Sequence, residues 1–386
     1  MSLKAIEKDW WVTLVLKALF SLPMRQHFIF KGGTSLSKAW KLIERFSEDI
    51  DIALSPEAFG REYRQTPSHS YVKTLKKEGC VYTSGVIKDA LESQLTAMGV
   101  PANLVTIEAE EVNPSMPDKD PQTLFVRYPS LYDPNLYIAE AVKLEFGVRS
   151  LKEPFAEVPI QSIIAEVFPN PSYSEAPFSV TAVEPRKTFM EKLFLLHEKF
   201  SIVREDVVVH ERQSRHLSDL ANMMRQGIAQ QVFDDHHLYA VLLEHRRYYV
   251  RLKNVDYDKM HMAGLRIIPP PAMMGDFRRD YETMQTEMIY GESPDFDELI
   301  DQLRELNFRN WIAVWFNHFG PPAIYLCFFF VSSPQTAFLR YESRPKPPRR
   351  HHVALTIRCQ LYETDRDGRQ GQIQYRQRRI SLAYRL

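Results

Sequence analysis

The chain has 386 residues, 49 basic against 49 acidic side chains, 44% hydrophobic and 25% charged content. It is long enough to bury a sizeable core and exceeds one average domain, and its composition is that of an ordinary soluble globular protein rather than a fibrous or disordered one. A formal net charge of zero excludes a global field that draws the chain to nucleic acid, so any RNA-binding surface must be a local basic patch.

In chain order, residues 4–22 predict an amphipathic helix, with Trp11, Leu14, Val15, Ala18 and Leu22 at helical spacing and Pro23 ending the run. No signal-peptide pattern is read there. Residues 27–30 predict a buried strand, followed by the turn Gly32-Gly33-Thr34-Ser35, a short helix, and a second strand carrying Asp49 and Asp51. Strand side chains alternate, so these two carboxylates share a face opposite Ile50, Ile52 and Leu54. Two neighbouring carboxylates repel unless a cation separates them, and Mg²⁺ is commonly held by one or two carboxylates plus substrate phosphates. The glycine turn opening a helix reads as a phosphate cradle. A solvated strand end is the competing reading of the pair.

Residues 68–98 are polar and lysine-rich (Lys73, Lys76, Lys77, Lys88) and predict helix with a loop. A solvated face is the ordinary reading, and contact with an RNA backbone is the other. Strands are expected over 104–112, 123–128, 138–148 and 178–183. Helices dominate from 185 to 308, with periodic apolar residues in 189–200, 216–224, 238–250 and 295–306 and in the DYETMQTEMIYG segment. Residues 309–386 differ: 311–331 is aromatic and nearly uncharged, and an arginine-rich end follows. The aromatic run is long enough to span a bilayer, but Asn317, His318, Gly320, Pro321 and Pro322 break it, so no membrane span is expected. The tail reads equally as an extension, a basic arm or a frame-change artefact. Cys80, Cys327 and Cys359 lack metal-ligand spacing and suit a reducing cytoplasm, the expected location. No Walker loop, HExxH site or Ser-His-Asp arrangement is present to support another chemistry.

The ordered set Gly32, Gly33, Thr34, Leu36, Arg45, Phe46, Ser47, Asp49, Ile50 and Asp51 resembles the AbiEii/AbiGii-type nucleotidyltransferase toxins, a branch of the DNA polymerase β-like superfamily. The resemblance extends over roughly 29–307. It implies an α/β (α+β) nucleotidyltransferase core with a mixed sheet over 1–184. A helical C-terminal domain over 185–308 would complete the active site. It also implies Asp49 and Asp51 as metal ligands for Mg²⁺ (or Mn²⁺), and Glu145 as a third acid on a later strand. A plain pair between Glu145 and Lys143 is the rival reading. In EKLFLLHEKF, Lys192 matches a lysine implied in NTP phosphate binding, with a snorkelling surface lysine as the alternative. Lys187 and Glu191 are spaced to pair along that helix. Arg215, His216, Asp219 and Leu220 match a further motif, in which Asp219 organises the lysine or the nucleotide. A helix salt bridge between Arg215 and Asp219 competes with that view. Lys31, Gly32, Gly33, Thr34, Ser35, Ser47, Lys192 and Arg215 are the expected phosphate-binding set.

The implied activity is transfer of NMP from NTP to an acceptor hydroxyl, the tRNA 3′ end among the candidates. The implied biology is the toxin of a toxin–antitoxin pair, with a separate antitoxin chain and a use in phage defence. Two rivals remain: an enzyme of this type acting on a small molecule such as an aminoglycoside, and a non-catalytic protein that binds nucleotide or antitoxin.

Overall fold

The computed structural model describes residues 2–112, 116, 119–133, 138–169, 175–201, 212–233, 235–306, 362–364 and 370–372. The chain divides into two units, Met1–Trp315 and Phe316–Leu386. In the second unit the described residues form one antiparallel pair, Tyr362–Thr364 with Gln370–Gln372. The aromatic run 311–331, Cys327, Cys359 and the arginine-rich end lie outside the described residues. Among the described residues no helix is long and apolar enough to cross a membrane.

The first unit opens with helix α1 (Leu3–Leu19), capped by the Ser2 hydroxyl. Its expected amphipathic character is not observed: Lys8 and Asp9 are buried along with the apolar face. Burial of these charges is tolerated because each has partners. Lys8 Nζ donates to the carbonyls of Ala139 and Ala141, and Lys38 Nζ donates to Asp9 Oδ1, both at 2.5 Å for the closer contacts.

Strand β1 (Phe28–Lys31) runs into helix α2 (Gly32–Lys38), and β2 (Ile50–Leu54) pairs antiparallel with β1. Helices α3 (His69–Tyr82) and α4 (Lys88–Ala97) are continuous through a π turn at Thr83–Ile87, so the loop expected in this segment is absent. The turn keeps Val72, Leu75, Ile87, Leu91 and Leu95 on the buried side. Strands β3 (Thr106–Ala109), β4 (Gln122–Arg127), β5 (Ala141–Gly147), β6 (Phe155–Ile160) and β7 (Phe178–Val183) complete a seven-stranded mixed sheet of order β3-β4-β5-β2-β1-β7-β6. The pairs β2–β5 and β1–β7 are parallel. Strand β6 and helix α5 (Ile163–Val167) were not legible in the pattern.

One face of the sheet packs Ile50, Ile52, Leu54, Leu124, Val142, Leu144 and Phe146 against α1, α3 and α4. After β7 the chain is helical: α6 (Pro185–Ser201), α7 (Arg215–Arg225), α8 (Ile228–Phe233), α9 (His236–His245), α10 (Pro271–Glu287) and a helix over 296–306. Pro185 occupies the first position of α6, where a missing N–H costs nothing. These helices share a second core, which Leu36 and Ile43 from the N-terminal region enter. The expected boundary at 184/185 falls inside the first unit.

Candidate active site

A cleft of about 360 Å³ opens between the strand ends and the helices α6, α7 and α9. Lys31, Gly32, Gly33, Ser47, Asp49, Asp51 and Glu145 line its sheet side, and Lys192, Arg215 and His216 line its helical side.

Register assembles the acidic group. Asp51 lies opposite Glu145 on β5 and opposite Lys31 on β1, while the intervening Ile50 and Ile52 are fully buried on the other face. Burial, and the neighbouring charges of Glu145 and Asp49, push the Asp51 carboxyl up to about 6 against the pull of Lys31 and Arg215. Such crowding is what a divalent cation relieves. Asp49 and Asp51 are the pair that could hold one. Glu145 is drawn to Lys143, whose Nζ lies 2.7 Å from Oε1. Among the described residues no three His, Cys, Asp or Glu side chains gather closely enough to form a ready metal cage. That donor set fits Mg²⁺, which leaves much of its coordination to water and substrate oxygens.

The glycines are required sterically. Gly32 has φ +79°, a conformation that L side chains rarely adopt, and a Cβ there would lie 2.0 Å from Asp51 Oδ2. A Cβ on Gly33 would lie 2.5 Å from Arg45 Nη2 and 2.9 Å from Ser47 Oγ. The turn therefore sits directly on the carboxylate and on the guanidinium. Thr34 and Ser35 do not reach the cleft, being 0% and 2% exposed. The Thr34 hydroxyl instead donates to the Asp49 carbonyl and lies 2.9 Å from Ser47 Oγ, tying the turn to the segment that enters β2; of the two acids expected on this strand, Asp51 lies within it and Asp49 one residue before it. Burial corrects the expectation that these two hydroxyls hold phosphate; Ser47 does line the cleft.

Asp219 is also removed from the cleft surface, at 0% exposure. Its partners are Arg45 and Lys192, rather than Arg215 one helical turn away. Arg45 Nε and Nη2 donate to its two oxygens at 2.7 and 2.8 Å, and Lys192 Nζ lies 2.8 Å from Oδ2. Burial alone would raise the Asp219 carboxyl, but the charges of Arg45 and Lys192 outweigh it and hold it below the ordinary range. Lys192 is thus no snorkelling surface lysine. Burial lowers its ammonium, and Asp219 opposes that shift. His216, with Nδ1 3.4 Å from Lys192 Nζ, is lowered well below the usual histidine value by burial and by Lys192.

Several residues that position the site carried no sequence signal. Asp280 on α10 accepts from the Ser214 amide and hydroxyl at 2.7 and 2.6 Å, anchoring the start of α7. Arg149 is held by Asp120, with Nε 2.7 Å from Oδ2. Glu191, read in the sequence only as the helical partner of Lys187, also lines the cleft, together with Arg149, His245, Arg246, Leu195, Leu242 and Val250. Arg246 forks onto Glu198, with Nε 2.7 Å from Oε1 and Nη2 on Oε2.

The arrangement can bind a divalent cation and a polyanion side by side. No curated protein and no solved structure matches the chain. A family model does match, over residues 14–302, a span that contains every residue of the site described above. The chain belongs to the family of the nucleotidyl transferase AbiEii toxin of type IV toxin–antitoxin systems.

Proposed function

We propose that the protein transfers a nucleoside monophosphate from an NTP to an acceptor hydroxyl with the help of Mg²⁺, and that the 3′ end of tRNA is the acceptor. The observation that carries this reading is the facing of Asp49, Asp51 and Glu145 with Lys192 and Arg215 across one cleft. Family membership adds a cognate antitoxin as the partner that restrains it and supports a role in growth arrest. Action in the cytoplasm and use against phage go with that proposal.

In this mechanism Asp49 and Asp51 would hold Mg²⁺, which when bound polarises the phosphate and favours loss of the acceptor proton. Lys192 and Arg215 take the charge of the β- and γ-phosphates. Arg45 and Asp219 fix the Lys192 ammonium, so that its remaining protons point at substrate. The absence of side chains at Gly32 and Gly33 lets phosphate oxygens approach the backbone, and Ser47 Oγ donates to one of them. The acceptor oxygen bonds to the α-phosphorus as the bond to the bridging oxygen of pyrophosphate breaks. Glu145 takes the acceptor proton or adds an oxygen ligand once it parts from Lys143.

The test is incubation of purified protein with each α-labelled NTP, Mg²⁺ and total tRNA. Label on RNA is the expected result. Label on an added aminoglycoside instead would move the acceptor to small molecules. Tight NTP binding without transfer to either would leave a nucleotide-binding protein without this chemistry.

A further inference from the structure

The charges in the cleft are not distributed evenly. Around Asp219 two cations, Arg45 and Lys192, share one carboxylate, and Arg215, which also lines the cleft, has no ion-pair partner among the described residues. Elsewhere around the cleft each cation has its own acid: Arg246 on Glu198, Arg149 on Asp120, Lys187 on Glu191. The acidic group of Asp49, Asp51 and Glu145 adjoins both, since Lys31 opposite Asp51 lines the same cleft and its charge reaches Glu191.

Glu191 stands out among these acids. It lines the cleft, with its side chain 28% exposed, and its one ion-pair contact among the described residues is Oε1 to Lys187 Nζ at 3.3 Å. Lys187 is itself fully buried and also donates to the Leu151 carbonyl. Burial would raise the Glu191 carboxyl, but the charges of Lys187, Lys31 and Arg246 hold it lowered and ionised. An ionised carboxylate only accepts hydrogen bonds and repels phosphate. A triphosphate therefore lies toward Arg45, Lys192 and Arg215. With its α-phosphate at the acidic group, the attached sugar falls on the Glu191 side.

Resting on the NTP reading above, we propose that Glu191 is the sugar-selecting residue: its cleft-facing oxygen accepts hydrogen bonds from the ribose hydroxyls, with Leu195, Leu242 and Val250 as the apolar wall beyond. The carboxylate oxygen that Lys187 does not engage has lone pairs for both vicinal hydroxyl donors, and bonds to an ionised acceptor are the stronger kind.

The experiment is equilibrium binding to the full-length protein with Mg²⁺ and without acceptor RNA. Each of the four ribonucleoside triphosphates is compared with its 2′,3′-dideoxy counterpart. The wild type is expected to bind its preferred ribonucleotide about tenfold tighter than the dideoxy form. Glu191→Gln keeps a partner for Lys187, and it is expected to cut that ratio to about twofold by weakening the ribonucleotide alone. Lys187→Met removes the ion pair and spares the carboxylate, and it should retain the discrimination. Equal affinity of the wild type for both sugars overturns the assignment. So does a Glu191→Gln protein that loses both ligands in equal proportion, because the residue would then act through packing. If no triphosphate binds at all, the nucleotide reading falls and this assignment with it, an outcome distinct from binding without sugar preference.

Discussion

The two walls of the cleft are built by different means. On the sheet side the acids are placed by strand register: the backbone ladder aligns Asp51 with Glu145 and Lys31, and a period of two turns the isoleucines between them inward. On the helical side Lys192 is placed by side-chain ion pairing to Asp219, which Arg45 reaches from far away in sequence. A ladder holds its residues whatever their side chains are. A buried ion pair holds them only while each partner is present. The sheet wall should therefore tolerate loss of its acids structurally while losing chemistry, and the helical wall should lose both together.

The largest expected effect is on the sheet wall. Asp49→Asn should abolish growth arrest on expression and lower transfer by about a thousandfold or more, as expected when metal-assisted charge stabilisation is lost. Its unfolding midpoint should stay near that of the wild type. Persistent arrest would place toxicity outside this site. Next is Asp219→Asn, which leaves Arg45 and Lys192 buried without an anion. It should cost about 3–5 kcal/mol in urea unfolding, along with transfer activity. A stable, inactive Asp219→Asn protein would erase the difference between the walls.

A smaller effect concerns His245. Its Nε2 lies 2.7 Å from the Arg149 carbonyl and its Nδ1 2.9 Å from the Tyr63 hydroxyl, which fits a neutral ring donating through Nε2. Burial lowers its pKa to about 4. The unfolded chain, titrating near 6.5, binds more protons between these values. The stabilisation from keeping this ring neutral is complete above about pH 6.5 and is lost as pH falls toward 4, a change of about 3 kcal/mol at most. His245→Gln can keep both hydrogen bonds, and it should flatten that part of the stability–pH curve measured by urea unfolding. An unchanged slope would assign the pH dependence elsewhere. The smallest structural effect is expected at Arg215, which has no ion-pair partner among the described residues. Arg215→Ala should move stability by less than about 0.5 kcal/mol while raising KM for NTP about tenfold.

What could be read in advance follows the same division. The core motif from Gly32 to Asp51, the strands β4, β5 and β7 and the main helices were legible because local periodicity and spacing specify them. Strand β6 was not: it lies at the sheet edge with alternate residues exposed and contains Pro159, so its hydrophobic signal is weak. Helix α8 is six residues long, too short to show a period. Asp219 was recognised, but spacing offered Arg215 as its partner, whereas the fold supplies Arg45 from 174 residues away. Thr34 misled in a similar way. A hydroxyl in a glycine turn suggests phosphate, and only the fold shows it turned back onto the Asp49 carbonyl. Asp280 gave no signal at all, and Glu191 showed only its helical spacing to Lys187, a pair the structure contains; their places at the site depend on which helices meet.

The clamp on Lys192 also has a consequence for synthesis on the ribosome. Its parts come from positions 45, 192 and 219 of a 386-residue chain. A nascent polypeptide that has folded its first strands still lacks both the lysine and its anchor. Premature termination anywhere before the third of these positions should thus yield a harmless fragment, and the potential to poison its host arises only once more than half of the translation product has emerged.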